Sequence, residues 1–126
     1  MSEFQSLSGS ELEIMQAIWD MTPPVTSGEV MERFADRAWK AQTLSTFLTR
    51  LVEKGLLDTQ RQGRTNHYTP QLTAEEYRQR EAAHVLDSMY HGSLQNFLSA
   101  FYGGKGLSQT EAEELKRWFD REARHD

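Results

Sequence analysis

Apolar and polar positions in the first half of the chain alternate with helical periodicity in three successive segments. Apolar residues recur every three or four positions, which predicts three amphipathic helices. These helices are predicted over residues 9–20, 27–35 and 41–54. Pro23 and Pro24 end the first helix, and Gly55 is a typical C-terminal cap for the third. The apolar stripes of the first and third helices are Leu12, Met15, Ile18 and Trp19, and Leu44, Phe47, Leu48 and Leu51.

The segment after the third helix has the weaker alternation of two short strands, over residues 56–61 and 65–69. Gln62 and Gly63 between them favour a hairpin turn. Three helices followed by a hairpin are the order of parts in a winged helix-turn-helix. We therefore predict a mainly α protein, in which residues 1–72 form a winged helix-turn-helix DNA-binding domain with a small β-hairpin wing.

The second half of the chain is purely helical in pattern, and we predict a helical dimerisation domain over residues 73–126. One helix is predicted over residues 74–90 and ends near Gly92, and two shorter apolar stripes follow. The glycine-rich residues 103–106 between these stripes are interpreted as a linker. About 50 residues rarely bury so many large apolar side chains alone. Pairing with a second copy would cover them, although they could also form a small core of their own. The candidate dimerisation residues are Leu94, Phe97, Leu98, Phe101, Leu115, Trp118 and Phe119.

Helix starts are marked by a Ser or Thr three residues before a Glu. Each side chain of such a capping box can satisfy a backbone N–H that the helix start leaves without a partner. The four predicted boxes are Ser8–Glu11, Thr26–Glu29, Thr73–Glu76 and Ser108–Glu111.

Charge is distributed unevenly along the chain. The protein has 14 Lys and Arg against 19 Asp and Glu, a net charge of −5. Residues 37–64 contain six Lys and Arg against two acids, a local balance of +4. A local basic surface on an acidic protein indicates contact with phosphate. With no cysteine, no signal-like N-terminus and no apolar run of membrane-spanning length, we expect a cytoplasmic protein without disulfides.

The polar arc of the third helix provides the candidate base contacts, Gln42, Thr43 and Thr46. Short Thr side chains let a helix approach base edges closely, and a Thr methyl can contact thymine. Recognition helices use their N-terminal residues in this way. The alternative is a solvated helix face, but such a face is usually richer in Glu and Lys, and Thr lowers helix propensity.

Three arginines are the candidate phosphate contacts. Arg61 and Arg64 flank Gly63 at the hairpin tip, and Arg50 lies on the third helix. Arginine in a wing can grip phosphate or enter a minor groove. The alternatives are that the turn arginines serve solubility and that Arg50 pairs with a nearby acid.

Enzymatic and metal chemistry have little support in this sequence. Residues 103–106 do not complete a phosphate-binding loop, and the four histidines lack metal-ligand spacing. Nothing resembles the nucleophile turn of a hydrolase. We expect no catalytic residues, no cofactor and no metal site.

Taken together, these residues resemble the penicillinase repressor family of the BlaI/MecI type, nearly end to end. The combined order of the motifs carries the resemblance, since each piece alone is common. The matching pieces are Leu12 to Met15, Ile18-Trp19, Gly28 to Val30, Thr43-Leu44, Thr46, Leu48, Arg50 to Val52, Lys54 to Leu56, Gly63-Arg64, Tyr68 to Pro70, Tyr90 and Gly92 to Leu94.

The resemblance implies a homodimeric repressor that binds palindromic operators on double-stranded DNA through the third helix, often at genes for β-lactam resistance. It also implies release after cleavage in the dimerisation domain, under a membrane sensor-protease. In the penicillin-responsive members of that family the cleaved bond is an Asn–Phe bond. The position that matches it in this sequence is Ala100–Phe101, and an Asn96–Phe97 bond lies one helical turn earlier. The absence of cysteine argues against the copper-responsive branch. The alternative function is a helical protein-interaction adaptor without sequence-specific DNA binding, which the acidic balance favours.

Overall fold

The computed structural model describes residues 4–103 and 107–123 of the chain. These residues form six helices and a three-stranded antiparallel sheet. Residues 104–106, most of the predicted linker, lie outside the described residues. In chain order the elements are α1 (Gly9–Trp19), β1 (Val25–Thr26), α2 (Ser27–Arg33), α3 (Ala41–Glu53), β2 (Leu57–Gln62), β3 (Thr65–Pro70), α4 (Ala74–Tyr90), α5 (Leu94–Tyr102) and α6 (Gln109–Ala123).

Side-chain caps begin five of the six described helices. All four predicted capping boxes are present, with the hydroxyl accepting from the Glu backbone N–H and the carboxylate accepting from the cap N–H. Ser93 adds a cap at α5, where its hydroxyl accepts the N–H of Asn96 at 3.1 Å. Each cap satisfies an N–H that has no partner inside its helix. The helix without such a cap is α3.

The core is formed by α1, α2, α3 and the sheet. Leu44, Leu48 and Leu51 are the buried residues of α3, as its periodicity predicts. In α1 the fully buried apolar residues are Ile14, Met15 and Ile18. The predicted α1 stripe omitted Ile14, and its members Leu12 and Trp19 are only half-buried at the core edge. Trp19 stays at this edge because its indole N–H donates to the carbonyl oxygen of Leu72 at 2.9 Å.

The wing is a hairpin of β2 and β3 whose predicted strands are confirmed to within one residue at each end. Its turn lies one residue later than predicted. Gln62 pairs with Thr65 across the hairpin, so Gly63 and Arg64 are the two turn residues. Gly63 has a φ of +64°, a conformation that glycine adopts without the Cβ strain of other residues.

A third strand, β1, was not predicted. Its two residues pair with β3, with Val25 opposite Tyr68 and Thr26 opposite His67, which gives the strand order β1-β3-β2. Two residues are too few to show alternation in the sequence. Their extended conformation comes from pairing with a distant strand, and it places the buried Val25 in the core.

The chain divides into two compact units, Met1–His84 and Val85–Asp126. The first unit includes the start of α4, where Tyr77 is buried and its ring centroid lies 5.9 Å from that of Trp19. The predicted domains, residues 1–72 and 73–126, differ from these units and stay a prediction. No helix within residues 4–103 and 107–123 has the length and apolar character needed to cross a membrane.

Candidate nucleic-acid interface

The exposed face of α3 is set by the burial of its opposite face. Because the leucine stripe packs into the core, the predicted base contacts are carried to the other side of the helix. Gln42 and Thr46 are exposed there, and Thr43 is half-buried at the edge of the arc. The structure therefore brings the three residues together on one surface.

The Thr46 hydroxyl is already bonded within α3. It donates to the carbonyl oxygen of Gln42 at 3.0 Å, and the Thr49 hydroxyl donates to the carbonyl oxygen of Ser45 at 3.0 Å. A hydroxyl whose hydrogen is engaged in this way retains its oxygen as an acceptor. In this arrangement Thr46 offers a ligand an acceptor oxygen and an apolar methyl group, which suits a thymine methyl or an amino group at a base edge.

The N-terminus of α3 begins without a side-chain cap. Lys40 occupies the cap position, and its carbonyl oxygen accepts the N–H groups of Thr43 and Leu44 at 3.0 and 3.2 Å. Its side chain makes no capping bond. The first N–H groups of a helix carry partial positive charge and favour a phosphate nearby. Lys40 was not predicted as a contact, and it is exposed beside these N–H groups.

Aromatic packing holds the segment that leads into α3. The ring centroid of Trp39 lies 5.0 Å from that of Phe34, at the end of α2, and 5.6 Å from that of Phe47 in α3. The Arg37 guanidinium lies 5.1 Å from the Trp39 centroid, within cation–π distance. This stack packs the segment between α2 and α3 against both helices.

Two of the six cations in the basic segment are paired with acids of α1. Arg37 pairs with Glu13, and Lys54 pairs with Glu11 at 2.7 Å. Counting those two acids, the six cations face four acids, and the local balance falls from +4 to +2. The other cations of the segment make no ion pair with any residue that the structure describes; they are Lys40, Arg50, Arg61 and Arg64.

The wing arginines occupy the hairpin tip. Arg61 lies opposite Asn66, and its Nε donates to the carbonyl oxygen of Gly63 at 3.2 Å, which leaves its terminal nitrogens to meet a phosphate. Arg64 is exposed in the turn itself. On α3, Arg50 is exposed, and its guanidinium lies 6.0 Å from the Phe47 ring centroid. Among the described residues it forms no ion pair with Glu53 or Asp58. These positions are consistent with phosphate contact, which stays a prediction.

Glu11 is the buried acid of the N-terminal unit, and its ionisation depends on its partners. Burial raises the pKa of Glu11, but hydrogen bonds from the Lys54 ammonium and from Ser8, with the charge of Lys54, outweigh burial and hold this pKa below the ordinary value. A carboxylate with a lowered folded-state pKa stabilises the fold above its unfolded pKa of about 4.3. That stabilisation is lost as pH falls through the folded-state pKa.

We therefore expect the free energy of unfolding to fall less steeply with decreasing pH in Glu11→Gln than in the unmodified protein. The free energy of unfolding of the unmodified protein should fall as pH drops below the unfolded pKa of about 4.3, partly through Glu11 protonation, and the glutamine variant lacks that contribution. Urea unfolding at a series of pH values measures the two slopes. Identical slopes for both proteins would contradict the role assigned to Glu11.

The C-terminal unit presents its apolar residues largely to solvent. No side chain of residues 85–103 and 107–123 is fully buried. Phe97, Leu98 and Leu115 are half-buried, and the more exposed candidates include Phe101 at 67% and Trp118 at 46%. The other exposed candidate dimerisation residues are Leu94 and Phe119.

The two candidate cleavage bonds both lie in α5. Asn96–Phe97 is in its first turn, and Ala100–Phe101 is near its C-terminal end. Ala100 and Phe101 are both exposed, whereas Phe97 is half-buried and its ring centroid lies 5.5 Å from that of Tyr90. Exposure favours Ala100–Phe101 over the earlier bond, and cleavage at either bond stays a prediction.

A helix-turn-helix made by α2 and α3 and followed by the β2–β3 hairpin defines the winged-helix class of proteins. Among solved structures, the chain is similar to the DNA-binding domain of the repressor BlaI. The TM-score is 0.52 and the identity 32%, over 61% of this chain and 94% of that domain. The predicted winged-helix fold is thereby confirmed.

The sequence matches the family described as Penicillinase repressor over residues 7–121, and the chain belongs to that family. A penicillinase repressor of Bacillus licheniformis is 30% identical over 115 residues, which are 91% of this chain and 90% of that protein. The methicillin resistance regulatory protein MecI of Mammaliicoccus sciuri is 26% identical over 111 residues, covering 87% of this chain and 89% of that protein. The resemblance inferred from the motifs is therefore confirmed.

Proposed function

We propose that this protein is a transcriptional repressor that binds duplex DNA as a homodimer at inverted-repeat operators. The observation that carries the proposal is the exposed Gln and Thr face of α3, opposite its buried leucine face. In this proposal α3 enters the major groove, where Gln42, Thr43 and Thr46 contact base edges. Repression follows because the bound dimer blocks access of the polymerase to the promoter.

Phosphate contacts fix the orientation and register of the DNA-binding domain on the duplex. We assign this role to Arg50 on α3 and to Arg61 and Arg64 at the wing tip, and we add Lys40 at the uncapped start of α3. Such contacts give affinity and orientation but little sequence information. The pairing of Arg37 and Lys54 with α1 acids supports leaving both out of this set.

Dimerisation is supported by the large apolar side chains that the C-terminal unit exposes, Phe101 and Trp118 among them. Two linked DNA-binding domains bind an inverted repeat far more tightly than one domain binds a half-site. Loss of the dimer therefore releases the operator. Hydrolysis of the Ala100–Phe101 bond would separate α6 and the last two residues of α5 from the rest of the chain, and so remove part of this surface.

The names of the relatives, a penicillinase repressor and a methicillin resistance regulator, support a role in the response to β-lactams. For such a circuit we propose a membrane sensor-protease as the upstream partner. A gene for a membrane-anchored metalloprotease beside the gene for this protein would support that part. Its absence would direct the search to other signals.

The assignment of contacts predicts different outcomes for Arg64→Ala and Thr46→Ala. Removing a phosphate contact should weaken binding to every duplex and make the slope of log affinity against log salt shallower by about one unit. Removing a base contact should change base preference at one position of each half-site and leave the salt slope nearly unchanged. Selection of bound duplexes from a random pool, followed by gel shifts over a salt series, measures both effects.

Arg80→Ala is the matched control, because Arg80 is exposed and belongs to α4, which contains none of the proposed contacts. It should keep the unmodified affinity and salt slope. An Arg64→Ala variant that behaves like Arg80→Ala would remove the wing from the interface. A pool that yields no inverted repeat for the unmodified protein would refute the repressor proposal and favour the adaptor alternative.

A further inference from the structure

An ion pair joins the start of α1 to the end of α3. Glu11 in α1 is 2% exposed, and it is the one buried charged residue among those the structure describes. Its Oε1 accepts the backbone N–H of Ser8 at 2.8 Å and the Lys54 ammonium at 2.7 Å. The same ammonium donates to the carbonyl oxygen of Ser6 at 3.3 Å. Lys54 therefore holds two groups of the N-terminal segment at once.

Lys54 directly follows the last residue of α3, at a well-formed helix end. Gly55 has a φ of +84°, its N–H donates to the Val52 carbonyl oxygen at 3.0 Å, and the Leu56 N–H donates to the Leu51 carbonyl oxygen at 2.9 Å. These are the two hydrogen bonds of a Schellman motif, and the buried Leu51 and Leu56 provide the apolar pair that accompanies it. The backbone at Lys54 is thus fixed by the helix end, and the side chain reaches from this fixed point to Glu11.

The burial of Glu11 beside the partly exposed Lys54 is poorly explained by stability alone. A buried ion pair gains little over a well-packed apolar pair, because desolvation offsets much of the attraction between the charges. A lysine at a helix C-terminus would interact favourably with the helix dipole even if it were exposed. What the pair adds is a link of defined geometry between α1 and α3, because the buried Glu11 carboxylate would lose its cation if the partly exposed Lys54 moved away.

We infer that Glu11 and Lys54 are positioning residues that hold α3 at the angle at which its exposed face fits the DNA groove. The inference rests on the proposed function. Thr43 lies eleven residues before Lys54, about 16 Å along the helix axis at 1.5 Å per residue. A tilt of about 4° at the anchored end therefore displaces Thr43 by about 1 Å, whereas binding groups need to be held within about 0.5 Å.

Two roles of the Glu11–Lys54 pair, neutralising a cation or positioning α3, predict opposite changes in DNA affinity when Glu11 is replaced. Glu11→Gln keeps an oxygen for the Ser8 N–H but removes a negative charge from the DNA-binding unit. If the pair acts only by neutralising Lys54, this change frees a cation, and affinity for every duplex rises with a steeper salt slope. If the pair positions α3, affinity for the operator falls although the protein has become less negative.

The test compares Glu11→Gln with Glu53→Gln, which removes the same charge from the exposed polar face at the end of α3. Affinities are measured for the operator selected by the unmodified protein and for an unrelated duplex. We expect Glu11→Gln to lower the ratio of these affinities about tenfold, the effect of losing roughly one base contact. Glu53→Gln should keep the ratio. A Glu11→Gln ratio equal to that of Glu53→Gln overturns the inference.

A second pair of variants keeps the test valid if Glu11→Gln folds poorly. Lys54→Arg retains the charge and a donor for Glu11, whereas Lys54→Met leaves Glu11 without its cation. The arginine variant should preserve the affinity ratio, and the methionine variant should lower it, at temperatures where circular dichroism shows both folded. Equal ratios for the two variants overturn the inference. Failure of the unmodified protein to select any operator would instead refute the proposed function.

Discussion

Phe101→Glu should convert the proposed dimer into monomers and lower affinity for a full inverted repeat by roughly 10²- to 10⁴-fold, the usual gain from linking two binding modules. Phe101 is 67% exposed within its own chain, so the substitution perturbs the isolated C-terminal unit little. In a dimer interface the same carboxylate would be buried without a partner, which is strongly unfavourable. Affinity for a half-site should stay unchanged, because α3 lies in the other unit.

Sedimentation over a concentration series and gel shifts with full and half operators measure these effects. Gln95→Glu introduces the same charge at an exposed position of α5 that lies off the apolar stripe, and it should remain dimeric. The dimerisation surface is misassigned if Phe101→Glu sediments like the unmodified protein. An equal loss of half-site affinity would mean that the substitution acts through folding instead.

Leu48→Ala should lower the free energy of unfolding by about 2–5 kcal/mol, the range for removing a buried leucine side chain. Leu48 is fully buried at the centre of the α3 stripe, so the substitution loses apolar contacts and leaves a cavity in the core. A small domain has only about 5–15 kcal/mol of stability in total. The variant should therefore lose a large part of its stability and unfold at a lower urea concentration than the unmodified protein.

Urea unfolding followed by circular dichroism measures this loss. The matched control is Thr49→Ala, one residue further along α3 and exposed, which should change stability by less than about 0.5 kcal/mol. DNA affinity of Leu48→Ala, corrected for the folded fraction, should equal that of the unmodified protein. A loss below about 1 kcal/mol would show that the core refills the space, or that the stripe is less tightly packed than its burial indicates.

The helices were predictable because their signals are local. Capping boxes act over three residues, and amphipathic periodicity is visible within two turns. The helix predicted over residues 74–90 has those bounds in the structure, with Thr73 as its cap. The stripe of α3 and its exposed face were predictable for the same reason, since burying one side of a helix determines which residues lie on the other.

The strand β1 and the residue Ile14 were missed because their environment comes from distant parts of the chain. Val25 is a strand residue only by virtue of pairing with Tyr68. Ile14 is buried because α2, α3 and the sheet enclose more of α1 than a single stripe. No short window of sequence contains either partner.

The sequence by itself determined the family, the faces of the helices and the candidate contacts on α3 and the wing, since each depends on residue order and on interactions across a few positions. Only the tertiary structure decided which cations of the basic segment are paired with acids and which remain as candidate phosphate contacts. Arg37 and Lys54 look equivalent to Arg64 along the chain, yet they pair with acids 24 and 43 residues away. Electrostatic pairing depends on distance in space, and the fold alone brings Glu11 and Glu13 to those positions.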